Sequence, residues 1–272
     1  MRRTTCVRLV ATGLVLALSS SPVLAQQTQT PAQEKAKAEA SAAAAAYSGA
    51  VEPEARAALD RMGTALRQLS GFTIHSDVTS EMVLDDGQKI QSGGTVDFTV
   101  QRPNGLKIVM ASDRQKREIY YNGKTVTIFS PALGYYGTFD APDTIGLMLD
   151  AADRKFGLEL PLADLFKFGT DQTMTERIKS GFVVGSETIG GQMCVHYAFR
   201  QEQVDWQVWI RKDETALPCK IVITTTSDTS MPQYTSVMTW NTQATPDPAT
   251  FSFTPPADAK KITVAEVKTA GQ

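Results

Sequence analysis

The 272-residue chain contains only two histidines, His75 and His196, and three cysteines. It has no Cys-x-x-Cys or His-x-x-x-His pair, although a zinc site needs three or four such ligands. It also has no Gly-x-Ser-x-Gly elbow, phosphate-binding loop or dinucleotide fingerprint. The sequence therefore predicts no catalytic residue, no metal site, no cofactor and no enzymatic activity. A hydrolase is disfavoured because no nucleophile is paired with a base.

Long hydrophobic runs are also missing. No stretch beyond the N-terminus approaches 18 consecutive apolar residues, so the mature chain is predicted to have no transmembrane segment. The first residues combine three arginines, an apolar run over residues 9–18 and the possible cleavage site Val23-Leu24-Ala25. We expect residues 1–25 to be a cleavable signal peptide and the protein to be periplasmic. A short membrane anchor is the alternative, but a run of about ten residues is too short to span a bilayer.

Clustered positive charge is missing too. Cleavage after residue 25 would remove three arginines and no acid, which moves the formal net charge from −2 to −5. A mildly acidic protein without a Lys/Arg cluster has little affinity for phosphate backbones. Nucleic acid is therefore excluded as an expected partner.

Two cysteines, Cys194 and Cys219, remain after cleavage and are candidates for a disulfide in an oxidising compartment. Strand alternation argues against the bond, because Cys219 shares parity with Ile221 and should face the core, whereas Cys194 should face away. One strand is also expected between them, which would separate their backbones by about 9.6 Å. The pairing stays open, as does a metal or thiol role for Cys194 with His196. For Cys194 and His196 we favour the interpretation that they are simply two half-exposed neighbours on one face of a strand.

The chain divides into four segments. Residues 26–51 are rich in Ala and Gln and have no large apolar residues to bury, so we expect a flexible tether. Residues 52–261 form one predicted domain, and residues 262–272 a tail. The domain begins with an amphipathic helix, in which Ala55, Leu59, Met62 and Leu66 recur at helical spacing after Pro53.

Strand patterns dominate the rest of the domain, with hairpin signals at Asp86-Gly87 and Asn122-Gly123. A helical stretch interrupts them from Pro142 to Phe166, with Asp143 as the expected cap and Gly157 as a break. Successive hairpins build one antiparallel sheet, and about ten strands are enough to curl it. The predicted fold is mainly β (α+β): a strongly curved, unclosed antiparallel β-barrel with helices across the concave face. The predicted strands are 72–84, 90–101, 106–111, 118–121, 125–129, 182–189, 193–200, 204–211, 219–226 and 234–240.

Several motifs occur in an order that resembles a known family. Arg102-Pro103-Asn104-Gly105-Leu106 and the hairpin Asn122-Gly123-Lys124 resemble the outer-membrane lipoprotein carrier (LolA/LolB-like) superfamily. The later motifs are similar to one branch of it, the predicted periplasmic proteins without an assigned function. These motifs are residues 140–144, 158–165, 198–201, 204–210 and 217–220.

The resemblance implies an unclosed barrel with helical plugs and an apolar interior, which in the carriers accepts acyl chains. By analogy, a lipid or lipoprotein acyl chain is an expected ligand, held beneath the segment 143–166. The alternative is an envelope scaffold or interaction module with a filled core, whose partner is an envelope protein that contacts an exposed Trp209. The aromatic and aliphatic candidates for lining or covering the cavity are Phe98, Phe129, Tyr135, Tyr136, Ile145, Met148, Leu149, Phe156, Phe166, Tyr197 and Trp206, with Tyr135 and Tyr136 as a gate at its mouth.

Overall fold

The computed structural model describes residues 49–158, 160, 162–168, 171 and 173–267. The predicted signal peptide and nearly all of the predicted tether lie outside the described residues. Within them, twelve strands form one sheet in the order β12-β6-β5-β4-β3-β2-β1-β11-β10-β9-β8-β7. Every adjacent pair is antiparallel except β12 with β6, which is parallel.

The first half of the domain consists of one helix and six strands. Helix α1, Pro53–Gln68, buries Ala55, Ala58, Leu59, Met62 and Leu66, as the helical spacing predicts. Asn122 ends one strand, and its Oδ1 accepts from the backbone N–H of Lys124 and Thr125 across the tight turn. The strands are β1 Gly71–Val83, β2 Lys89–Gln101, β3 Gly105–Ala111, β4 Lys116–Tyr121, β5 Thr125–Ser130 and β6 Tyr135–Asp140.

Three helices interrupt the sheet. Helix α2, Ile145–Phe156, begins at Thr144, whose side chain accepts from the backbone N–H of Leu147. Asp143 was the expected cap, so the prediction is wrong by one residue. The helix ends at Gly157, which adopts the left-handed φ of 59° that glycine tolerates without strain. The two short helices are α3 Ala163–Lys167 and α4 Thr173–Glu176.

The second half of the domain returns to hairpins. A 3₁₀ turn at Pro248–Phe251 and a last short strand, β12, follow the final hairpin. The predicted tail starts at residue 262, but Ile262 belongs to β12, and the backbone N–H of Val267 donates to Lys155 of α2. The chain therefore stays in contact with the domain to the last described residue. The strands are β7 Ser180–Ile189, β8 Gln192–Arg200, β9 Val204–Arg211, β10 Pro218–Thr225, β11 Gln233–Asn241 and β12 Lys260–Ile262.

The sheet is an open, curved half-barrel, which confirms the predicted fold. Neighbouring strands in β-sheets are typically twisted relative to each other by about 20–25°. A sheet of twelve strands therefore coils strongly. Among the described strands β7 and β12 are the two edges of the sheet, β7 making only a short parallel bridge from Gly181 to Val51, and the barrel does not close. The concave face carries the main core, in which α1, α2 and α3 pack against the sheet.

A smaller cluster lies outside the main core and contains the disulfide. Cys194 on β8 and Cys219 on β10 are bonded, with Cα atoms 6.9 Å apart. The parity argument against this bond is wrong because the pairing of β10 with β9 shifts register between Pro218 and Lys220. This irregularity places Cys219 in one cluster with Val222 and with Trp209 of β9. In an ideal strand Cys219 and Val222, three residues apart, would point to opposite faces.

Trp209 is not the exposed partner-binding residue that its parity predicts. Only 4% of it is exposed, because neighbouring strands cover its ring from two sides. The His196 ring stacks on it at 3.8 Å between centroids, and the Lys220 ammonium lies 4.5 Å from its centroid. Its Nε1 donates to Glu187. Trp209 is therefore part of the packing on this face of the sheet and is not exposed to a partner.

Candidate functional site

A cavity of about 830 Å³ lies between the sheet and the helical segment that follows β6. Its wall on the sheet side comes from β9, β10 and β11, and Met110 of β3 contributes as well. Its wall on the helix side comes from α2, α3, α4 and the residues between them. The helix-side wall is therefore the lid predicted over residues 143–166, extended to Arg177.

Strand alternation builds the sheet-side wall. Val204, Trp206 and Val208 follow one another at every second position of β9, so all three point to the concave face. Ile221 pairs with Val208 and Ile223 pairs with Trp206, which extends the same apolar surface onto β10. The result is a smooth apolar wall made by side chains with few polar atoms.

Leucine and other apolar side chains supply most of the helix-side wall. Leu149 projects from α2, Ala163 and Leu165 from α3, and Met174 from α4. The described residues between the helices also contribute apolar side chains. These are Leu158, Leu160, Leu162 and Phe168.

Charged groups are confined to the helix side of the cavity. Asp150 and Lys167 form an ion pair at 2.5 Å that joins α2 to α3. Asp164 reaches the surface, yet the protein around its carboxyl limits hydration and raises its pKa; Lys167 and Arg177 oppose the shift. Hydrogen bonds from the side chain and backbone of Thr173 lower the pKa of Asp171. Among the described lining residues, the acids Asp150, Asp153, Asp164 and Asp171 outnumber the cations Lys167 and Arg177.

Three hydroxyl oxygens are buried on the concave face without a well-formed hydrogen bond among the described residues: Tyr234 Oη, which lies near Ser236, together with Ser236 Oγ and Ser76 Oγ. Tyr234 lines the cavity and pairs with Ile223 across β10 and β11. Ser236 pairs with Ile221, and Ser76 pairs with Met238 on the neighbouring strand. Burial raises the pKa of Tyr234 to about 12, so its hydroxyl keeps its proton.

Two of the eleven predicted lining residues, Leu149 and Trp206, line this cavity. The space expected beneath the start of α2 is filled instead. Ile145 and Met148 are 1% and 0% exposed, because the start of α2 packs into the main core. Phe166 packs in the same core, its ring centroid 6.0 Å from that of Phe98. The structure therefore places four predicted lining residues outside the cavity, which begins at Leu149: Phe98, Ile145, Met148 and Phe166.

Phe156, the last residue of α2, and Tyr197, which α1 covers, both lie outside the cavity. The ring of Phe156 packs on Phe139 of β6 with centroids 4.1 Å apart. Tyr197 is on the concave face as predicted, but α1 covers it, and its hydroxyl interacts with Arg61. It borders a separate polar groove of about 580 Å³ between α1 and strands β8 and β9.

The predicted gate is also wrong. Phe129 and Tyr136 are paired neighbours on β5 and β6, and both rings pack on Phe253 with centroids 5.1 Å away. They lie on the face opposite Val126 and Ile128, because side chains alternate along β5. Tyr135 is 42% exposed next to β12. None of the three borders the cavity, so none controls access to it.

Sequence reasoning missed most of the lining residues. Val204 and Val208 were available from the sequence, because they share the parity of Trp206 on the same strand. The leucines at 158, 160, 162 and 165 form an apolar run directly after the glycine that ends α2. Met62 and Met110 line the cavity from α1 and β3, and only the tertiary structure brings them there.

The histidines lie outside the cavity. His75 Nδ1 is 2.6 Å from Asp97 Oδ1, and this hydrogen bond, with the charge of Asp97, raises the His75 pKa. His196 Nε2 bonds Gln207 at 2.9 Å, and burial lowers its pKa. Because Cys194 is part of a disulfide, it cannot act as a thiolate beside His196. Within the described ranges, no three His, Cys, Asp or Glu side chains are grouped so as to hold a metal ion.

The fold and site together define a class: an open half-barrel with a largely apolar cavity under helices. The model of the family "Predicted periplasmic protein (DUF2092)" matches residues 55–265. The chain belongs to this family, which confirms the resemblance read from its motifs, and it is a periplasmic protein. No helix in the part of the chain that the structure describes is long and apolar enough to cross a membrane.

Solved structures that are similar to this chain include two mycobacterial proteins. The lipoprotein LppX of Mycobacterium tuberculosis is 14% identical, with 72% of this chain and 100% of that chain covered and a TM-score of 0.44. For LprF of Mycobacterium bovis the identity is 16%, the coverage 74% and 99%, and the TM-score 0.44. A LolA superfamily protein of Nitrosomonas europaea is 8% identical, with coverage of 73% and 97% and a TM-score of 0.39. No curated protein matches this chain.

Proposed function

We propose that this protein is a non-enzymatic periplasmic binding protein that holds a lipid, an acyl chain or another apolar ligand. The ligand lies between the β9–β11 wall and the lid formed by α2, α3 and α4. The observation that carries the proposal is the cavity of about 830 Å³, whose walls are largely apolar side chains. Ligand pockets in proteins typically have volumes of about 300–1,000 Å³ and the same predominantly apolar lining.

Binding would be driven by burial of the ligand's acyl chain away from water. Each buried methylene contributes about 0.8 kcal/mol, so an acyl chain gains affinity without any specific polar contact. The methionines Met62, Met110 and Met174 suit this role, because their flexible side chains adapt to irregular ligand shapes. No reaction is assigned to the site, since its walls offer no nucleophile paired with a base.

The alternative, a scaffold with a filled core and an envelope protein as partner, is less well supported. The half of the interior under α1 and the start of α2 is packed, as that alternative requires. The cavity beside β9 and β10 is not filled, and Trp209, the residue that favoured a partner surface, is buried. We therefore prefer the binding function.

Filling the cavity with a larger side chain tests this function. Ala163 lines the cavity from α3, so Ala163→Phe should occupy part of its volume. We expect the variant to bind a neutral fluorescent apolar probe at least tenfold more weakly than the wild type. Ala57→Phe is the matched control, because Ala57 is exposed on α1 and its ring would lie outside the cavity.

The titration is interpreted together with thermal unfolding of each variant. Equal affinity of a folded Ala163→Phe variant and the wild type would contradict the proposed site. Failure of the wild type to bind any apolar probe would contradict the proposed function itself.

A further inference from the structure

The hydroxyl of Tyr234 is the polar feature of the sheet-side wall. Its oxygen is buried and lies near the Ser236 hydroxyl, but neither of these hydroxyls nor that of Ser76 makes a hydrogen bond of good geometry among the described residues. Buried polar groups in native proteins are nearly always paired, because an unmade hydrogen bond costs free energy. A ligand that places an oxygen beside Tyr234 would supply the missing partner and recover that cost.

The charge around the cavity restricts what kind of oxygen that is. Four aspartates and two cations line the helix side among the described residues. Asp150 and Lys167 neutralise each other in their ion pair. Asp153, Asp164 and Asp171 remain against Arg177, so the lining has a net negative charge. A free carboxylate in this space would be repelled by these side chains, most strongly at low salt, because Asp153 and Asp164 are exposed to solvent and ions screen their charge.

The Tyr234 hydroxyl and the negative charge of the lining together restrict the head group of the ligand. Tyr234 is a neutral hydroxyl and therefore both donates and accepts a hydrogen bond. It is suited to an alcohol, ester or amide, each of which has an uncharged oxygen. The acidic lining discriminates against fatty acids, which have the same chain but an ionised head group at neutral pH.

We propose that the cavity selects long-chain molecules with an uncharged, oxygen-bearing polar group, such as alcohols, esters or amides, over free carboxylates. Tyr234 binds the oxygen, and the carboxylates of the lid exclude the anion. This inference rests on the proposed binding function and names the chemical class of its ligand.

Three ligands with the same twelve-carbon chain test the selection: 1-dodecanol, dodecanoate and dodecane. Each is used at neutral pH and low salt to displace a neutral fluorescent probe from the full-length mature protein. We expect dodecanol to bind at least tenfold more tightly than dodecanoate, with a smaller difference at high salt because salt screens charge. Equal or tighter binding of dodecanoate would overturn the inference and leave the binding function intact. If the probe and all three ligands fail to bind, the proposed function fails instead.

Tyr234→Phe isolates the hydroxyl. The variant should bind dodecanol about fivefold more weakly than the wild type and dodecane equally well. Its thermal stability should fall little, because the hydroxyl that it loses makes no hydrogen bond of good geometry in the free protein. An equal loss of affinity for both ligands would show a packing effect and overturn the role of the hydroxyl. Tyr135→Phe, on an exposed tyrosine next to β12, is the matched control.

Asp153→Asn isolates the charge and does not depend on the tyrosine variant. It should raise the affinity for dodecanoate several-fold and leave the affinity for dodecanol unchanged. Asp85→Asn removes the same charge from an exposed hairpin turn far along the chain from the lid and should change neither affinity. Unchanged dodecanoate binding in Asp153→Asn would overturn the role of the acidic lining.

Discussion

Tyr121 shows how a single buried side chain fixes the start of the lid. It is 0% exposed at the end of β4, and its hydroxyl donates to the backbone oxygen of Pro142 at 2.6 Å. Pro142 precedes the cap of α2, so this hydrogen bond connects the sheet to the segment that leads into the helix.

We expect Tyr121→Phe to lower the free energy of unfolding by about 1–2 kcal/mol, the usual cost of one lost hydrogen bond to a buried group. Urea unfolding at neutral pH measures this. Tyr135→Phe should have no effect, because Tyr135 is 42% exposed. A Tyr121→Phe variant as stable as the wild type would show that the contact with Pro142 contributes nothing.

Buried tyrosines also predict how stability depends on pH. Burial raises the pKa of Tyr121 and Tyr234 from 10.0 to about 12, and burial with a hydrogen bond to Glu118 raises the pKa of Tyr120. The folded state thus binds these protons more tightly than the unfolded state does. Their contribution to stability is complete below pH 10 and is lost as the pH rises toward about 12.

The free energy of unfolding should therefore fall between about pH 10 and pH 12 in a urea titration series. The slope should be shallower in Tyr121→Phe, which has one shifted tyrosine fewer. An identical slope in the variant and the wild type would contradict the assignment of the shift to Tyr121.

Residue-level predictability depended on regular alternation. Val126 and Ile128 indicate which side chains of β5 face inward, and by the same rule Phe129 faces outward. The error on Phe129 was therefore avoidable from the sequence. The face of Cys219 was not predictable, because a register shift has no clear signature in the residues Pro218-Cys219-Lys220.

At the level of elements, the disulfide fastens β8 to β10 across the intervening β9. The two cysteines are 25 residues apart and are 0% and 2% exposed. A cross-link of this span restricts the unfolded chain and contributes about 3 kcal/mol in the loop-entropy model. It encloses β9, which together with β10 supplies part of the sheet-side wall of the cavity.

Reduction should accordingly lower the free energy of unfolding by about 3 kcal/mol, measured as a shift of the urea midpoint. The double variant Cys194→Ser, Cys219→Ser should show the same loss and no further response to reductant. If reductant destabilises the double variant as much as the wild type, the effect does not come from this bond.

Elements with a strong periodic pattern were predicted, and elements without one were missed. Helix α1 and the long hairpin of β1 and β2 follow the apolar periodicity closely. Strand β6 was missed because it is short, contains Gly137 and pairs on one side with β12, which comes from the distant end of the chain. Strand β12 has three exposed residues, so its sequence shows no apolar pattern.

For the whole molecule, the unclosed curvature of the sheet creates the cavity. Helix α1 and the start of α2 fill one part of the concave face, and the more loosely structured lid leaves space over β9 and β10. The sequence predicted a curved sheet with covering helices. It could not predict which part stays open, because that depends on where α1 and α2 pack in three dimensions.

The most direct test of the binding function is native mass spectrometry after incubation with vesicles of a bacterial total lipid extract. We expect the mature wild-type protein to acquire lipid adducts, and the folded Ala163→Phe variant to acquire far fewer. Recovery of the wild type at its bare polypeptide mass, with no adduct after incubation, would contradict a lipid-binding function.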